Sequence, residues 1–310
     1  MARWPQLLIV LALLGATAAA FAVTERLKLE RSPVTGTKVD RVFSPVCECA
    51  RDVAVISVVL RRGETVTVDV LDASGDSVRT LVRKRLEPAG RVSYTWDGRD
   101  NADRIVTEGL YRPRVQLERN GRTIVLPNPI RVDTTAPRIR LVRVFPRVFS
   151  PDGDGRGDRV TATYSLDERA RAMMLVDGQR RVLSRFRPLE GKLVWFGRVE
   201  GRPVRPGTYE IRLRAVDRAG NRSARTRAVP VRVRYVELSR DRIEVAAGKR
   251  FSVRVRTDAP SYRWLFAGDK GAGQRQVLVL RAPETPGTYF LYVSVAGRAD
   301  RAEVVVSASQ

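Results

Sequence analysis

Residues 147–158 read Arg147-Val-Phe-Ser-Pro-Asp-Gly-Asp-Gly-Arg-Gly-Asp158, and the same pattern occurs earlier in the chain. The earlier copy is Arg41-Val-Phe-Ser-Pro-Val-Cys-Glu-Cys-Ala-Arg-Asp52, which aligns without a gap and shares the Arg, Val, Phe, Ser, Pro and closing Asp. The two copies are separated by more residues than a solenoid repeat contains. Each copy is therefore expected to begin a whole small domain rather than one unit of a solenoid.

Short β-branched segments follow both copies of this pattern. After the first copy, residues 53–60 and 65–71 form two such segments, and a hairpin-type turn, Asp72-Ala-Ser-Gly-Asp76, comes next. After the second copy, residues 159–166 and 210–217 alternate apolar and polar side chains. The number and spacing of these segments predict an all-β fold of tandem Ig-like or fibronectin-III-like sandwiches.

Three domains are expected behind one N-terminal helix. The first covers residues 41–135, the second 136–234, and the third, more divergent, 235–310. The third domain lacks the Phe-Ser-Pro pattern. Residues 24–40 precede the domains and are expected to form a polar stalk.

The tripeptide Gly-x-Tyr occurs three times, each time just before an alternating strand, and ends at Tyr111, Tyr209 and Tyr289. A Tyr at the start of a late strand is typical of the tyrosine corner of Ig-like sandwiches, in which the ring is buried and the hydroxyl is bonded to backbone. We therefore predict that these rings lie in the core, and the alternative is that they stack on carbohydrate. The same prediction applies to one tryptophan in each domain: Trp96, Trp195 and Trp264.

Residues 1–23 have the features of a targeting segment. Arg3 precedes an apolar run from Leu7 to Val23, and Ala20-Phe-Ala22 fits an A-x-A cleavage site. The favoured prediction is an uncleaved single-pass membrane anchor with the C-terminal domains outside the cytoplasm, although the run is at the short end of the transmembrane range. The alternative is cleavage near Ala22, which would release a secreted protein. Both alternatives export the rest of the chain.

The chain is strongly basic, with 57 Lys and Arg against 34 Asp and Glu and a formal net charge of +23. Such a charge attracts nucleic acids, acidic polysaccharides and phospholipid headgroups. The Arg residues are spread along the chain and alternate with apolar residues, which is typical of the wet face of a half-buried sheet. An arginine-rich genome is the alternative explanation. Nucleic-acid binding is disfavoured, because it would require a basic cluster with stacking aromatic side chains on one module.

The sequence contains no His. This absence removes the usual general base near neutral pH, the most common metal ligand and the usual partner of a Ser or Cys nucleophile. We find no catalytic constellation and predict a protein without enzymatic activity.

Three carboxylates in the second copy are candidate calcium ligands. Asp152, Asp154 and Asp158 have the spacing of the first, third and seventh positions of an Asp-rich calcium loop, and the intervening glycines permit a tight path. Arg156 stands where the fifth position should supply a ligand, and Thr163 where the twelfth should be Glu. The alternative is a structural turn in which the Asp side chains accept hydrogen bonds from backbone N–H groups. We predict no cofactor, and a calcium ion at this loop is the one candidate.

The corresponding loop of the first copy contains Cys47 and Cys49, the two cysteines of the chain. Export makes a disulfide between them plausible. A bridge across one intervening residue is expected to be strained and more easily reduced. Free or intermolecular thiols, and a redox or metal-binding role, are the alternatives.

These motifs together resemble a known module. The segment Phe149-Ser-Pro-Asp-Gly-Asp-Gly-Arg-Gly-Asp158, followed by Trp195-x-Gly197 and Pro206-Gly-Thr-Tyr209, is similar to the Ig-like domain of the flagellar hook-capping protein. The resemblance covers residues 147–225, and residues 41–118 with an altered loop. It implies an Ig-like sandwich of a kind used as spacers, adhesin stalks and appendages of enzymes. A hook-capping role is not expected, because an export segment replaces the segment that docks on the hook.

The sequence therefore predicts a non-catalytic, membrane-anchored extracytoplasmic scaffold or binding protein of the bacterial cell envelope. Its expected partner is an envelope protein or an anionic cell-surface polymer. The alternative is an accessory spacer subunit for an exported enzyme or a surface filament.

Overall fold

The computed structural model describes residues 11–21, 32–119 and 121–308. Residues 11–21 form a helix, and every other regular element in the described ranges is a strand or a single β-bridge. Within these ranges, no helix combines the length and the apolar character needed to cross a membrane. The other residues of the predicted anchor, and residues 24–31 of the predicted stalk, lie outside the described part of the chain.

The strands form three β-sandwiches in tandem, which confirms the predicted all-β fold. The first sandwich contains β1 (Val34–Val39), β2 (Val42–Phe43), β3 (Ala54–Leu60), β4 (Glu64–Leu71), β5 (Ser77–Glu87), β6 (Gly90–Trp96), β7 (Gly109–Leu117), β8 (Arg122–Val125) and β9 (Ile130–Val132).

The second sandwich contains β10 (Ile139–Phe145), β11 (Val148–Phe149), β12 (Val160–Leu166), β13 (Arg171–Val176), β14 (Gln179–Leu183), β15 (Glu190–Trp195), β16 (Arg198–Val199), β17 (Arg202–Pro203), β18 (Gly207–Val216) and β19 (Val229–Val233). The third contains β20 (Glu237–Leu238), β21 (Arg242–Ala246), β22 (Arg250–Arg256), β23 (Tyr262–Phe266), β24 (Asp269–Gly273), β25 (Val277–Arg281), β26 (Gly287–Val295) and β27 (Arg298–Ser307).

The three sandwiches share one strand order. Their small sheets run β1-β3-β6, β10-β12-β15 and β20-β22-β25, and their large sheets run β2-β9-β7-β4-β5, β11-β19-β18-β13-β14 and β21-β27-β26-β23-β24. In each large sheet a short early strand pairs in parallel with the last strand of the sandwich, at β2–β9, β11–β19 and β21–β27. The other pairings of described strands are antiparallel. The chain therefore repeats a single Ig-like plan three times.

The alternating sequence of the strands explains the layering. Along β22, Phe251, Val253 and Val255 are buried, and the residues between them are exposed. Because the side chains of a strand point alternately to opposite faces, every second residue lines the core. Each small sheet thus has one apolar inner face and one outer face that contacts solvent.

Residues 34–39 correct the predicted stalk, because they form β1 of the first sandwich. This strand pairs with β3, and both Val34 and Val39 are buried. A register shift between Thr35 and Lys38 interrupts the pairing. The bulge interrupts the alternation of apolar and polar residues, so the sequence of this segment resembles that of a polar linker.

The chain divides into two compact units between Thr134 and Thr135. The first unit has its own core, whereas the second and third sandwiches share one continuous core. Tyr235 lies where these two sandwiches meet; it is 1% exposed, and its hydroxyl donates to the carbonyl of Val204 at 2.8 Å. The division into compact units does not separate these two sandwiches. The predicted boundary between the second and third domains at residue 235 stays a proposal.

Candidate functional site

The Phe-Ser-Pro turn occupies the same place in the first two sandwiches. Ser44 and Ser150 directly follow β2 and β11, and both are buried. Their N–H groups close the loops by donating to the carbonyls of Arg51, at 3.0 Å, and of Gly157, at 3.1 Å. Both copies of the repeat are thus loops of equal length, each anchored by a buried Ser.

Each turn packs against the Trp-x-Gly sequence at the end of the third strand of the small sheet. In the second sandwich the ring of Trp195 meets Phe149 and Tyr209 edge to face, at centroid distances of 5.7 Å in both cases. Gly197 has a φ of +60°, and a Cβ there would lie 2.7 Å from the Cβ of Pro151. The residues that recur together in the sequence are therefore one packing unit.

The three predicted tyrosine corners are present. In each case the tyrosine hydroxyl donates to the backbone carbonyl four residues earlier, at 2.8 Å for Tyr111 and 2.9 Å for Tyr209 and Tyr289. Tyr111 is buried, and the other two rings are partly buried against the core. These rings serve the fold and are not arranged as a carbohydrate platform.

Trp264 departs from the prediction that each domain has a buried tryptophan. It is only partly buried and lies on β23 in the large sheet, with its ring over Gly271 of the edge strand β24. Phe266, which is 3% exposed, takes the aromatic position beside Tyr289, at a centroid distance of 6.2 Å. The spacing of aromatic residues does not show which strand of a sheet they occupy.

The acidic loop of the second sandwich gathers its three carboxylates. One oxygen from each of Asp152, Asp154 and Asp158 lies within 4.8 Å of the others. Asp158 accepts hydrogen bonds from the N–H of Gly153 at 2.6 Å and of Gly155 at 2.7 Å. These two hydrogen bonds form the structural turn that is the alternative to calcium binding.

A carboxylate has two oxygens and about four lone-pair positions, so these backbone hydrogen bonds leave room for a cation as well. Arg156, the residue at the fifth position of the calcium frame, is exposed, and its N–H donates to Asp154 at 2.7 Å. The calcium site at Asp152, Asp154 and Asp158 stays a prediction.

A fourth carboxylate approaches the acidic loop from the third sandwich. Asp258 lies so close to Gly157 that a Cβ at this glycine would collide with its Oδ2. Burial, together with the negative charges of Asp152 and Asp154, raises the pKa of Asp258 to about 6. Burial also raises the pKa of Asp152, as do its acidic neighbours, although two hydrogen bonds oppose this change. No local sequence motif surrounds Asp258, so the sequence alone does not point to this residue.

In the first sandwich a disulfide occupies the position of the acidic loop. Cys47 and Cys49 are joined, with their Cα atoms 5.2 Å apart, and Glu48 between them has a φ of +46°. The N–H of Cys47 donates to the carbonyl of Ser44 at 3.3 Å. A covalent bond thus closes the turn that Asp158 closes by hydrogen bonds in the second sandwich. The predicted disulfide between the two cysteines stays a prediction for the protein in its own compartment.

The repeated turn, the Trp-x-Gly packing and the tyrosine corner together define the module type. Residues 52–121 match the FlgD Ig-like domain. The match confirms the resemblance to the Ig-like domain of the hook-capping protein. The matched residues lie in the first sandwich, although the second sandwich has the more complete sequence pattern. The matched residues begin at Asp52 and therefore do not include the Cys47–Cys49 turn.

The chain is similar to several solved structures. The fibronectin(III)-like modules of CbhA from Clostridium thermocellum are 17% identical, cover 64% of this chain and 94% of their own, and have a TM-score of 0.37. FlgD from P. aeruginosa is 22% identical, with 43% and 82% covered and a TM-score of 0.24. The I9–I11 tandem of titin is 12% identical, with 89% and 100% covered and a TM-score of 0.31. No curated protein sequence matches the chain.

Outside the FlgD Ig-like module, the small sheet of the third sandwich has a basic outer face. Arg250, Arg254 and Arg256 are exposed along β22 and alternate with its buried apolar residues. In the part of the chain that the structure describes, none of these three guanidinium groups forms an ion pair, whereas Arg281 opposite Arg250 is paired with Glu284. The face can therefore bind an external anion.

Proposed function

We propose that this protein is a non-catalytic, membrane-anchored scaffold or binding protein of the bacterial cell envelope, and that its basic sheet faces contact anionic surface polymers. The FlgD Ig-like match and the tandem sandwiches support a binding or scaffold role, because such modules typically serve other functions than catalysis. The predicted targeting segment at residues 1–23 supports a location outside the cytoplasm, attached to the membrane or released after cleavage near Ala22.

The observation that carries the contact with polymers is the unpaired arginine row on β22. Exposed ion pairs add little to stability, so the fold does not depend on partners for these cations. Like charges on one face repel each other. A polyanion that lies along the face removes this repulsion and releases counterions, which favours binding at low salt.

Binding of the full chain to cell-envelope fractions tests this function. Raising the ionic strength from about 0.1 M to about 1 M shortens the Debye length from about 10 Å to about 3 Å, so retention through the arginine rows should be lost. The double variant Arg254→Gln/Arg256→Gln should be retained more weakly at low salt. Retention that is independent of salt and unchanged in this variant would contradict the contact with anionic polymers.

The second candidate function is a spacer for an exported enzyme or a surface filament. The continuous core of the second and third sandwiches favours it, because a shared core resists bending between modules. Retention of one protein partner at both low and high salt would support the spacer. In that case the excess of arginine would have no role in binding.

A further inference from the structure

The outer face of the small sheet in the second sandwich forms an open cleft of about 720 Å³. Arg143, Thr163 and Lys192 are register partners on the three neighbouring strands β10, β12 and β15. They therefore form one row across the floor of the cleft. Because neighbouring strands are about 4.8 Å apart, the Cα atoms of Arg143 and Lys192 are separated by about 10 Å.

Two phenylalanine rings border this cleft. Phe145 is 58% exposed and Phe196 is 51% exposed. The guanidinium carbon of Arg143 lies 4.7 Å from the centroid of the Phe145 ring, which holds this cation beside the apolar surface. Large apolar rings that stay in contact with water beside a cleft are typical of a binding surface.

The cations of the cleft have no carboxylate partner within the described residues. Arg143, Arg159 and Lys192 line it and are exposed, and none of them forms an ion pair there. The one lining carboxylate, Asp158, already accepts two backbone hydrogen bonds. An anion that enters the cleft therefore meets cations whose charge is not compensated.

The polar groups between the cations are hydroxyls. Thr161 and Thr163 line the cleft, and neither hydroxyl has a hydrogen-bond partner among the described residues. A hydroxyl can both donate and accept, so it suits a ligand that is rich in hydroxyl groups. The cleft thus presents cations, hydroxyls and apolar rings side by side.

We propose that this cleft binds a segment of an acidic polysaccharide. Its carboxylates would pair with Arg143 and Lys192, its hydroxyls with the two threonines, and the apolar faces of its sugar rings would pack on Phe145 and Phe196. An acidic glycan carries all three kinds of group on each repeat, whereas an acidic peptide combines them only where its sequence places aromatic and hydroxyl side chains beside its carboxylates. The proposal rests on the proposed envelope location, where such polymers are available.

The test is titration of the full chain with polygalacturonate, compared with the same polymer after reduction of its carboxyl groups. The double variant Arg143→Gln/Lys192→Gln is expected to bind at least tenfold more weakly, equivalent to about 1.4 kcal/mol. The matched control Arg180→Gln/Arg181→Gln removes the same charge from exposed positions on β14 of the same sandwich and should change the affinity less than about twofold, as its residues lie outside both the cleft and the β22 face. The variant Phe145→Ala/Phe196→Ala keeps the charge and should also weaken binding.

Thermal melts of these variants, all at exposed positions, first test that each variant is folded. Three results would then overturn the proposal. Equal weakening by the two charge variants would remove the cleft as a site and leave the general contact with anionic polymers intact. No binding of the unmodified chain to any acidic polymer at low salt would also overturn that general contact. Tighter binding of a single-stranded oligonucleotide, lost in the Arg143→Gln/Lys192→Gln variant, would assign the cleft to nucleic acid.

Discussion

The glycine two residues after each buried tryptophan is the contact point between the Phe-Ser-Pro turn and the sandwich. We predict that Gly197→Ala lowers the free energy of unfolding of the second unit by about 3 kcal/mol, because a Cβ at φ +60° is strained and also overlaps Pro151 and Phe149. Urea unfolding followed by tryptophan fluorescence measures this change.

Gly201 provides the control for this substitution. It has a φ of +78°, but a Cβ there would have no atom within 4 Å. Gly201→Ala should therefore cost only the backbone strain, about 1 kcal/mol. Equal losses in the two variants would show that the packing of Pro151 against Gly197 contributes nothing.

Asp258 gives the second unit a specific pH dependence. Its pKa is 3.8 in the unfolded chain and about 6 in the fold, so its contribution to stability is present below pH 3.8 and is lost as the pH rises through 6. We predict that Asp258→Asn raises the Tm of the second unit at about pH 7.5 and changes it much less at about pH 4, where the native carboxyl is protonated.

Differential scanning calorimetry at the two pH values measures the effect of Asp258→Asn. Asp269→Asn, at an exposed position on β24, removes one charge from the same sandwich and serves as the control. A similar rise in Tm for both variants would attribute the effect to net charge rather than to the acidic loop beside Asp258.

Among the elements, those with an unbroken period of two could be predicted from the sequence. β12 and β22 alternate over their whole length and β18 alternates from Tyr209 onward, and their spacing sufficed to predict tandem sandwiches. β1 could not be predicted, because its bulge shifts the register and only its two end residues are buried. The local sequence does not identify this strand, because its position depends on pairing with β3.

The candidate site could be predicted from the sequence only where its residues lie in one local segment. Asp152, Asp154 and Asp158 converge because the glycines between them allow a tight loop, and this is a local property of the sequence. Asp258 reaches the loop only because the second and third sandwiches pack together, which no pattern within either sandwich encodes. The cleft at Arg143 and the position of Trp264 likewise depend on which strands are neighbours.

The Cys47–Cys49 disulfide should stabilise the first unit modestly. The bridge closes a loop of three residues, so the chain-entropy model gives about 1.5 kcal/mol. We predict that a phosphine reductant lowers the Tm of the first unit by a few degrees. The second unit contains no cysteine, so its transition should not move and is an internal control. A transition of the first unit that ignores the reductant would indicate that the thiols are unpaired in the protein.

If the acidic loop binds calcium, Ca²⁺ should stabilise the second unit. With a dissociation constant near 1 mM, a tenfold excess of Ca²⁺ would stabilise the unit by about 1.4 kcal/mol. The expected result is a higher Tm of the second unit with Ca²⁺ than with a chelator, and no change in Asp154→Asn. An equal Tm with and without Ca²⁺ would leave the loop as a structural turn only.

For the whole molecule, unfolding should follow the two compact units rather than the three sandwiches. The second and third sandwiches share a core that includes Tyr235, which is 1% exposed. We predict two calorimetric transitions, and Tyr235→Ala should lower the unfolding free energy of the second unit by about 3–4 kcal/mol. Tyr292→Ala, at a position 38% exposed, should change it by less than about 1 kcal/mol. Three separate transitions in the unmodified chain would contradict the shared core.

The parallel pairing of early and last strands determines how each sandwich responds to a mechanical pull. A force on the two ends of a sandwich slides such a pair lengthwise, so all of its hydrogen bonds are loaded at once instead of opening one after another. β21 and β27 are held over five register positions, but β2–β9 and β11–β19 over only two. In a chain tethered at one end and loaded at the other, the first sandwich, which has its own core, should extend before the third and spare it from the peak tension.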